Sequence, residues 1–225
     1  MWRNPRENAP ENVLKGTTTV ALTCSDGVVL ATDRRATMGF YIASKTAKKL
    51  YKIDDHVAAT IAGSVADAQR VIDSLQAEAK IFKVRTGAPM GVKATANLLS
   101  AILFEARLYP YFMEAVIGGI DDAGPQLFAL DPVGSLTSEK FIATGSGGPI
   151  AYGLLEDSYS SELNVNDAIS LVIRATRSSM ERDAASGNGF DVAYITKSGY
   201  HELSEAEIGK VIEELNARRK KSYSS

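Results

Sequence analysis

GTTTVALTCSDGVVLATD, residues 16–33, opens the patterned part of this chain. TTTVALTC (17–24) and VVLATD (28–33) are runs rich in β-branched residues, with Ser25-Asp26-Gly27 between them. Such residues suit a pleated surface and Asp-Gly suits a tight turn, so the stretch predicts a β-hairpin. Upstream, MWRNPRENAPENVLKG (1–16) is polar, carries Pro5 and Pro10, and has no apolar periodicity, which marks a tail. The register changes abruptly at Gly16-Thr17.

Downstream, KKLYKI (48–53), the turn Asp54-Asp55 and VAATIAG (57–63) predict a second β region. Val65, Ala68, Ile72, Leu75, Ala79 and Phe82 then recur at helical spacing, giving a helix over 64–83 that Thr86-Gly87-Ala88-Pro89 breaks. A second helix fits 91–108, with Val92, Ala96, Leu99 and Leu103 on one face and Pro110 beyond its end. Three short strands follow at 112–118, 126–130 and 137–143. GSGGP (145–149) opens a helix near 149–158, and Asn164 to Asp167 supply an N-cap for a long helix over 166–185. FDVAYITK (190–197) and GYHEL (199–203) form another hairpin. Ser204-Glu205-Ala206-Glu207 is a capping box for the last helix, whose basic end from Arg218 frays.

The order is strands, two helices, strands, two helices, strands, one helix. Strict βαβ alternation is absent, which argues against Rossmann and barrel architectures and predicts an α+β chain. Two central antiparallel sheets between helix layers accommodate this order. No repeat or internal linker interrupts it, so residues 17–225 read as one domain.

Composition narrows the function. Of 225 residues, 45% are hydrophobic and 23% charged, the balance of a globular protein. Lys plus Arg number 25 against 27 Asp plus Glu, so no dominant basic footprint for nucleic acid exists. No apolar run approaches the ~20 residues of a membrane helix, and the N-terminus lacks the apolar centre of a secretory signal. Cys24 has no partner cysteine, which fits a reducing cytoplasm; it reads as a small buried hydrophobe. With His56 and His201 it falls short of a four-ligand zinc site. Gly145-Ser146-Gly147-Gly148 is followed by Ile150 where a dinucleotide loop needs glycine, and no phosphate-binding G-K-[ST] occurs. Neither histidine has a nucleophile elbow to serve, so both read as solvated or locally bonded.

With histidine nearly absent, hydrolytic chemistry needs another base. A cut at Gly16-Thr17 would give Thr17 a free α-amine, whose unperturbed pKa of ~7.7–8.0 suits a general base. One residue then supplies both nucleophile and base. Gly16, without a Cβ, leaves the scissile carbonyl open.

GTTTVAL (16–22), ATDRRATMG (31–39), KKLYKID (48–54), IAGSVADAQ (61–69), GGID (118–121), TGSG (144–147), YGLLE (152–156) and ERDAASGNG (181–189) occur in this order. As an ordered set they resemble the β subunits of the archaeal-type proteasome core particle, which are N-terminal nucleophile hydrolases. The resemblance covers nearly all of 14–205. It implies a four-layer αββα sandwich, autolysis between Gly16 and Thr17 that removes residues 1–16, and a threonine endopeptidase needing no metal or organic cofactor.

Carried over by position, Thr17 is the nucleophile, Lys49 the lysine beside it, and Asp33 the carboxylate that keeps Lys49 charged and oriented. Relatives often have glutamate where Asp33 stands. Ser146, Asp183 and Ser186 match the residues that support the threonine amine. Gly63 matches the glycine whose N–H forms the oxyanion hole, and Arg35 has a structural place near the ion pair. Ala36, Ala47, Ile61 and Val65 fall at the walls of the first specificity pocket, and their apolar character implies cleavage after hydrophobic residues. The resemblance further implies seven-membered β rings stacked on α-subunit rings, an AAA ATPase regulator and unfolded polypeptide as substrate. A nucleic-acid or membrane partner is not implied.

Overall fold

The computed structural model describes residues 16–222. Residues 1–15, 223–225 and the side chains of 219–222, which hold most of the expected leader and the basic tail, lie outside the described residues.

The expected hairpin is β1 (Thr19–Cys24) and β2 (Gly27–Asp33), paired antiparallel with Thr19 opposite Thr32 and Cys24 opposite Gly27. Thr17 and Thr18 lie outside that ladder, because their backbone groups are taken up at the site described below. A small exposed hairpin follows, β3 (Ala36–Met38) and β4 (Tyr41–Ser44). No sequence signal marked it: Met38, Phe40 and Tyr41 are more than two-thirds exposed, so core-facing alternation is missing.

β5 (Leu50–Asp54) and β6 (Val57–Gly63) lead into α1 (Val65–Thr86) and α2 (Val92–Glu105). The Ser64 side chain accepts the N–H of Asp67 at the start of α1, and Gly87 closes it in left-handed conformation with its N–H on the Lys83 carbonyl. The buried face is Ala68, Val71, Ile72, Leu75 and Ala79, whereas Val65 and Phe82, expected on that face, are 45% and 37% exposed.

β7 (Met113–Asp121), β8 (Gly124–Leu130), β9 (Leu136–Ser138) and β10 (Phe141–Thr144) come next. The single strand expected over 137–143 is split, since the chain changes sheets there. The Glu139 N–H bonds the Leu127 carbonyl on β8, while the Lys140 carbonyl accepts from Thr23 on β1. α3 (Gly148–Ser158) and α4 (Val165–Met180) follow, then β11 (Phe190–Thr196), β12 (Gly199–Glu202) and α5 (Glu205–Ser222). The Asn164 side chain caps α4. That helix ends five residues before the expected 185, where Asp183 Oδ1 accepts the Ala185 N–H and competes with further turns.

Both large sheets are antiparallel, in the orders β10-β1-β2-β11-β12 and β5-β6-β7-β8-β9. Alternation along the strands sorts the core into three apolar clusters. Val20, Leu22 and Val29 pack with Leu155, Val172 and Ile173 of α3 and α4. Ala21, Val28 and Leu30 pack with Ala58, Val116 and Leu127 of the other sheet. Ala59, Ile61 and Ile117 pack with Leu75 and Leu99 of α1 and α2. The ends of β1, β2, β5 and β6 thus bring residues 16–18, 33, 49 and 63 to one edge of the facing sheets.

Candidate active site

Thr17 and Thr18 precede β1, and Asp33 ends β2 beside them. Asp33 is fully buried and takes four donors: Lys49 Nζ at 2.6 Å and Thr18 N at 2.9 Å on Oδ1, Arg35 N and Gly187 N at 3.0 Å each on Oδ2. Its own N–H donates to the Thr18 carbonyl at 3.0 Å. Every acceptor site of a carboxylate is therefore filled, which is what a buried charge requires.

Lys49, one residue before β5, is 5% exposed. Besides Asp33 it donates to the Arg35 carbonyl at 2.6 Å and to the Gly16 carbonyl at 3.4 Å. Burial is the larger influence on its ammonium and pulls its pKa down; Asp33 offsets part of that. The sequence expectation of a lysine held charged by its partner missed this desolvation.

The Gly16–Thr17 peptide bond is intact. Thr17 Oγ1 donates to the Gly16 carbonyl oxygen at 2.6 Å, so the hydroxyl and the Lys49 ammonium converge on one oxygen. Gly16 is buried, its N–H on Thr37 Oγ1 at 2.9 Å. A Cβ on it would stand 1.9 Å from the Ala185 carbonyl oxygen, so only glycine fits.

On the other side of Thr17, its N–H donates to Ser146 Oγ at 3.3 Å. Ser146 Oγ and Ser186 Oγ donate to Asp183 Oδ2 at 2.5 and 2.6 Å. Ser186 Oγ also lies 2.7 Å from Thr18 Oγ1. The structure thus brings Thr17, Asp33, Lys49, Ser146, Asp183 and Ser186 together as two hydrogen-bonded sets on either side of Thr17. Thr18 and Gly187 belong to these sets and were missed in the sequence; their place next to Thr17 and Ser186 was the available signal.

A cleft of about 310 Å³ opens beside Thr17. Ala36, Ile61 and Val65 line it with Gly63, and so do Met38, Ala43, Tyr51 and Ala68, which sequence reasoning did not single out. Ala47 is not among the lining residues; its N–H is tied to the Arg34 carbonyl at 2.9 Å. Val65 is half-exposed on α1 because it faces this opening. A larger groove of about 1080 Å³ along α3, α4 and α5 contains none of the candidate residues.

The remaining candidates are local. His56 Nε2 pairs with the Met90 carbonyl at 2.8 Å, and His201 Nε2 with Glu207 Oε1 at 3.2 Å. Cys24 is buried, and burial pushes its thiol up to about 11. No group of three metal-ligating side chains occurs among the described residues.

Comparison with known proteins follows the same residues. The family model described as "Proteasome subunit" matches residues 13–195. The proteasome subunit beta of Methanothermobacter thermautotrophicus is 52% identical over 207 residues, covering 92% of this chain and 99% of the relative. That of Methanocaldococcus vulcanius is 51% identical over 212 residues, covering 93% and 95%. That of Archaeoglobus profundus is 50% identical over 206 residues, covering 91% and 96%.

Proposed function

This chain belongs to the proteasome subunit family, and we propose that within it the chain is a catalytic β subunit whose nucleophile is Thr17. The observation that carries this reading is the double contact on the Gly16 carbonyl oxygen, from Thr17 Oγ1 at 2.6 Å and Lys49 Nζ at 3.4 Å.

Two reactions follow from that contact. In the intact chain the Thr17 nitrogen is an amide and cannot act as a base. Thr17 Oγ1 attacks the Gly16 carbonyl carbon, the Gly16–Thr17 C–N bond breaks, and an ester links Gly16 to the Thr17 oxygen. Water hydrolyses the ester, residues 1–16 leave, and Thr17 gains an α-amine. Lys49, as an ammonium donating to the Gly16 carbonyl oxygen, polarises that carbonyl and favours the negative charge that develops on it as Oγ1 attacks.

In the processed chain the Thr17 amine takes the proton of Oγ1 as that oxygen attacks a substrate carbonyl. Ser146, held by Asp183, fixes the amine from the far side. Asp33 orients Lys49, whose positive charge favours the developing alkoxide where both residues are largely withdrawn from water. The Gly63 N–H serves the oxyanion; such donors are worth ~3 kcal/mol of barrier. Water then releases the acyl group, with the amine again as base. The apolar walls, Ala36, Ile61 and Val65, favour a hydrophobic residue before the cut.

The wider reading is an N-terminal nucleophile hydrolase of four layers, in seven-membered rings stacked on α-subunit rings in the cytoplasm. An ATPase regulator feeds it unfolded polypeptide, and compartmentation keeps a threonine peptidase from the remaining proteins.

The test is the intact mass of the chain after co-expression with an α partner. Loss of residues 1–16, abolished by Thr17→Ala together with peptidase activity, supports the reading. Retention of the whole chain in an assembled particle makes it a structural ring subunit instead.

A further inference from the structure

Asn188 is the one described residue other than glycine with positive φ, at 62°. Asparagine tolerates the left-handed region better than most side chains, and a hydrogen-bonding contact of its short polar side chain helps to hold it there. Arg35 supplies that contact. Its Nε donates to Asn188 Oδ1 at 2.8 Å and its Nη1 to the Ala184 carbonyl at 2.7 Å. The guanidinium lies against Gly187, where a Cβ would come 2.3 Å from Nη2.

The main chain of Arg35 belongs to the other half of the site. Its N–H donates to Asp33 Oδ2 at 3.0 Å and its carbonyl accepts from Lys49 Nζ at 2.6 Å. One residue therefore joins Lys49 and Asp33 to the segment that carries Ser186 and directly follows Asp183. Main-chain N–H groups fasten the same segment, Gly187 N to the Asp33 carboxylate and Arg34 N to the Gly189 carbonyl, each at 3.0 Å, and neither uses a side chain of the 184–189 segment. Those bonds survive most substitutions. The Arg35–Asn188 bond depends on the side chain at 188.

We infer that Asn188 is a positioning residue for the Thr17 site: its left-handed backbone and its bond to Arg35 set where Asp183 and Ser186 stand relative to Lys49. This rests on the reading of Thr17 as nucleophile. Asn188 acts through Arg35 and through the loop, not on substrate.

The test compares three variants in assembled, processed particles. Asn188→Asp keeps an acceptor for Arg35 Nε and tolerates the left-handed region. Asn188→Gly keeps the backbone and loses the acceptor. Asn188→Ala loses both. The expected order of kcat is wild type and Asp together, then Gly, then Ala, with Ala lowered about 10–100-fold, the cost of misplacing reacting groups by about an ångström. KM stays within about twofold, since the substrate cleft is untouched. The acid limb of kcat/KM, which reports the Thr17 amine, moves to lower pH in Gly and Ala, because Asp183 is no longer held behind Ser146, through which its charge favours the ammonium form.

Wild-type kcat and pH profile in Asn188→Gly overturn the inference, and so does an equal loss in all three variants without a shift of the acid limb. If Asn188→Ala fails to assemble, Asn188→Gly decides alone. Thr17→Ala, run in parallel, separates the two readings. An active Thr17→Ala particle removes the nucleophile assignment, whereas an inactive one beside a wild-type-like Asn188→Gly removes only the role of Asn188.

Discussion

Asp33 Oδ1 lies 2.6 Å from Lys49 Nζ, and the pair is withdrawn from water, the two residues being 0% and 5% exposed. Desolvation of both charges is costly, so the geometry holds only while every partner is present. Asp33→Asn turns one of the oxygens that faces three backbone N–H groups and an ammonium into an amide NH2. Loss of one partner of a buried pair typically costs ~3–5 kcal/mol. We expect a fall of that size in the unfolding free energy and loss of peptidase activity, read by denaturant titration and reporter-peptide hydrolysis. Unchanged stability would mean that the pair contributes nothing to the fold.

The cleft beside Thr17 gives a prediction about specificity. Val65 is half-exposed at the start of α1 and faces the opening lined by Ala36 and Ile61. Val65→Asp places a carboxylate there without burying it fully. Cleavage after a hydrophobic residue should fall about 10–200-fold relative to cleavage after a basic one, the span of a single pocket contact. The ratio of kcat/KM for two reporter peptides differing only at that residue measures it. An unmoved ratio would show that the first specificity pocket lies elsewhere.

α5 carries a pH signature. Ser204 N and Oγ both donate to Glu207 Oε2, at 2.7 and 2.6 Å, and the Glu207 N–H returns to Ser204 Oγ at 3.3 Å. These bonds, first from Ser204 and then from His201, hold the Glu207 carboxyl down at about 2. A carboxylate depressed on folding stabilises above its unfolded pKa, ~4.3, and loses that contribution as pH falls through the folded value. Glu207→Gln should therefore be less stable than wild type at neutral pH. The two should converge between about pH 4.3 and pH 2, as thermal melts across that range would show. A gap independent of pH would place the effect in packing.

Sequence legibility divides along physical lines. β1 and β2 were readable because a run of β-branched residues flanks Asp26-Gly27, and both faces of these strands are buried. The β3–β4 hairpin was not, since its tip exposes Phe40 at 92% and Tyr41 at 69%. The β9–β10 break was hidden because changing sheets at Glu139 and Lys140 needs no glycine or proline. The end of α4 was misjudged because the competing Asp183 side-chain bond to Ala185 is a tertiary-site feature, not a breaker residue. At the site, an ordered motif set singled out Thr17, Asp33, Lys49, Ser146, Asp183 and Ser186 as candidates, and the structure brings these side chains together. The downward pull on Lys49 comes from burial, which residue identity does not encode, and Ala47 lay near the right segment with its backbone turned to Arg34.

The final prediction concerns the scissile residue. A Cβ at position 16 would sit 1.9 Å from the Ala185 carbonyl oxygen and 2.3 Å from its Cβ, and neither belongs to a flexible side-chain end. Gly16→Ala must therefore move the Gly16 carbonyl away from Thr17 Oγ1 or shift the segment that carries Ser186. Either movement disturbs the 2.6 Å contact from which the proposed acyl shift would start. A displacement near an ångström typically costs about 10²-fold in rate, so autolysis should slow by that order. The processed chain, once formed, no longer contains residue 16 and should hydrolyse peptides as the wild type does. Mass spectrometry over a time course of assembly, followed by peptidase assay of the fully processed fraction, separates the two effects. Wild-type processing in Gly16→Ala would show that the Gly16 carbonyl moves freely before cleavage, and that the geometry around it does not govern the first step.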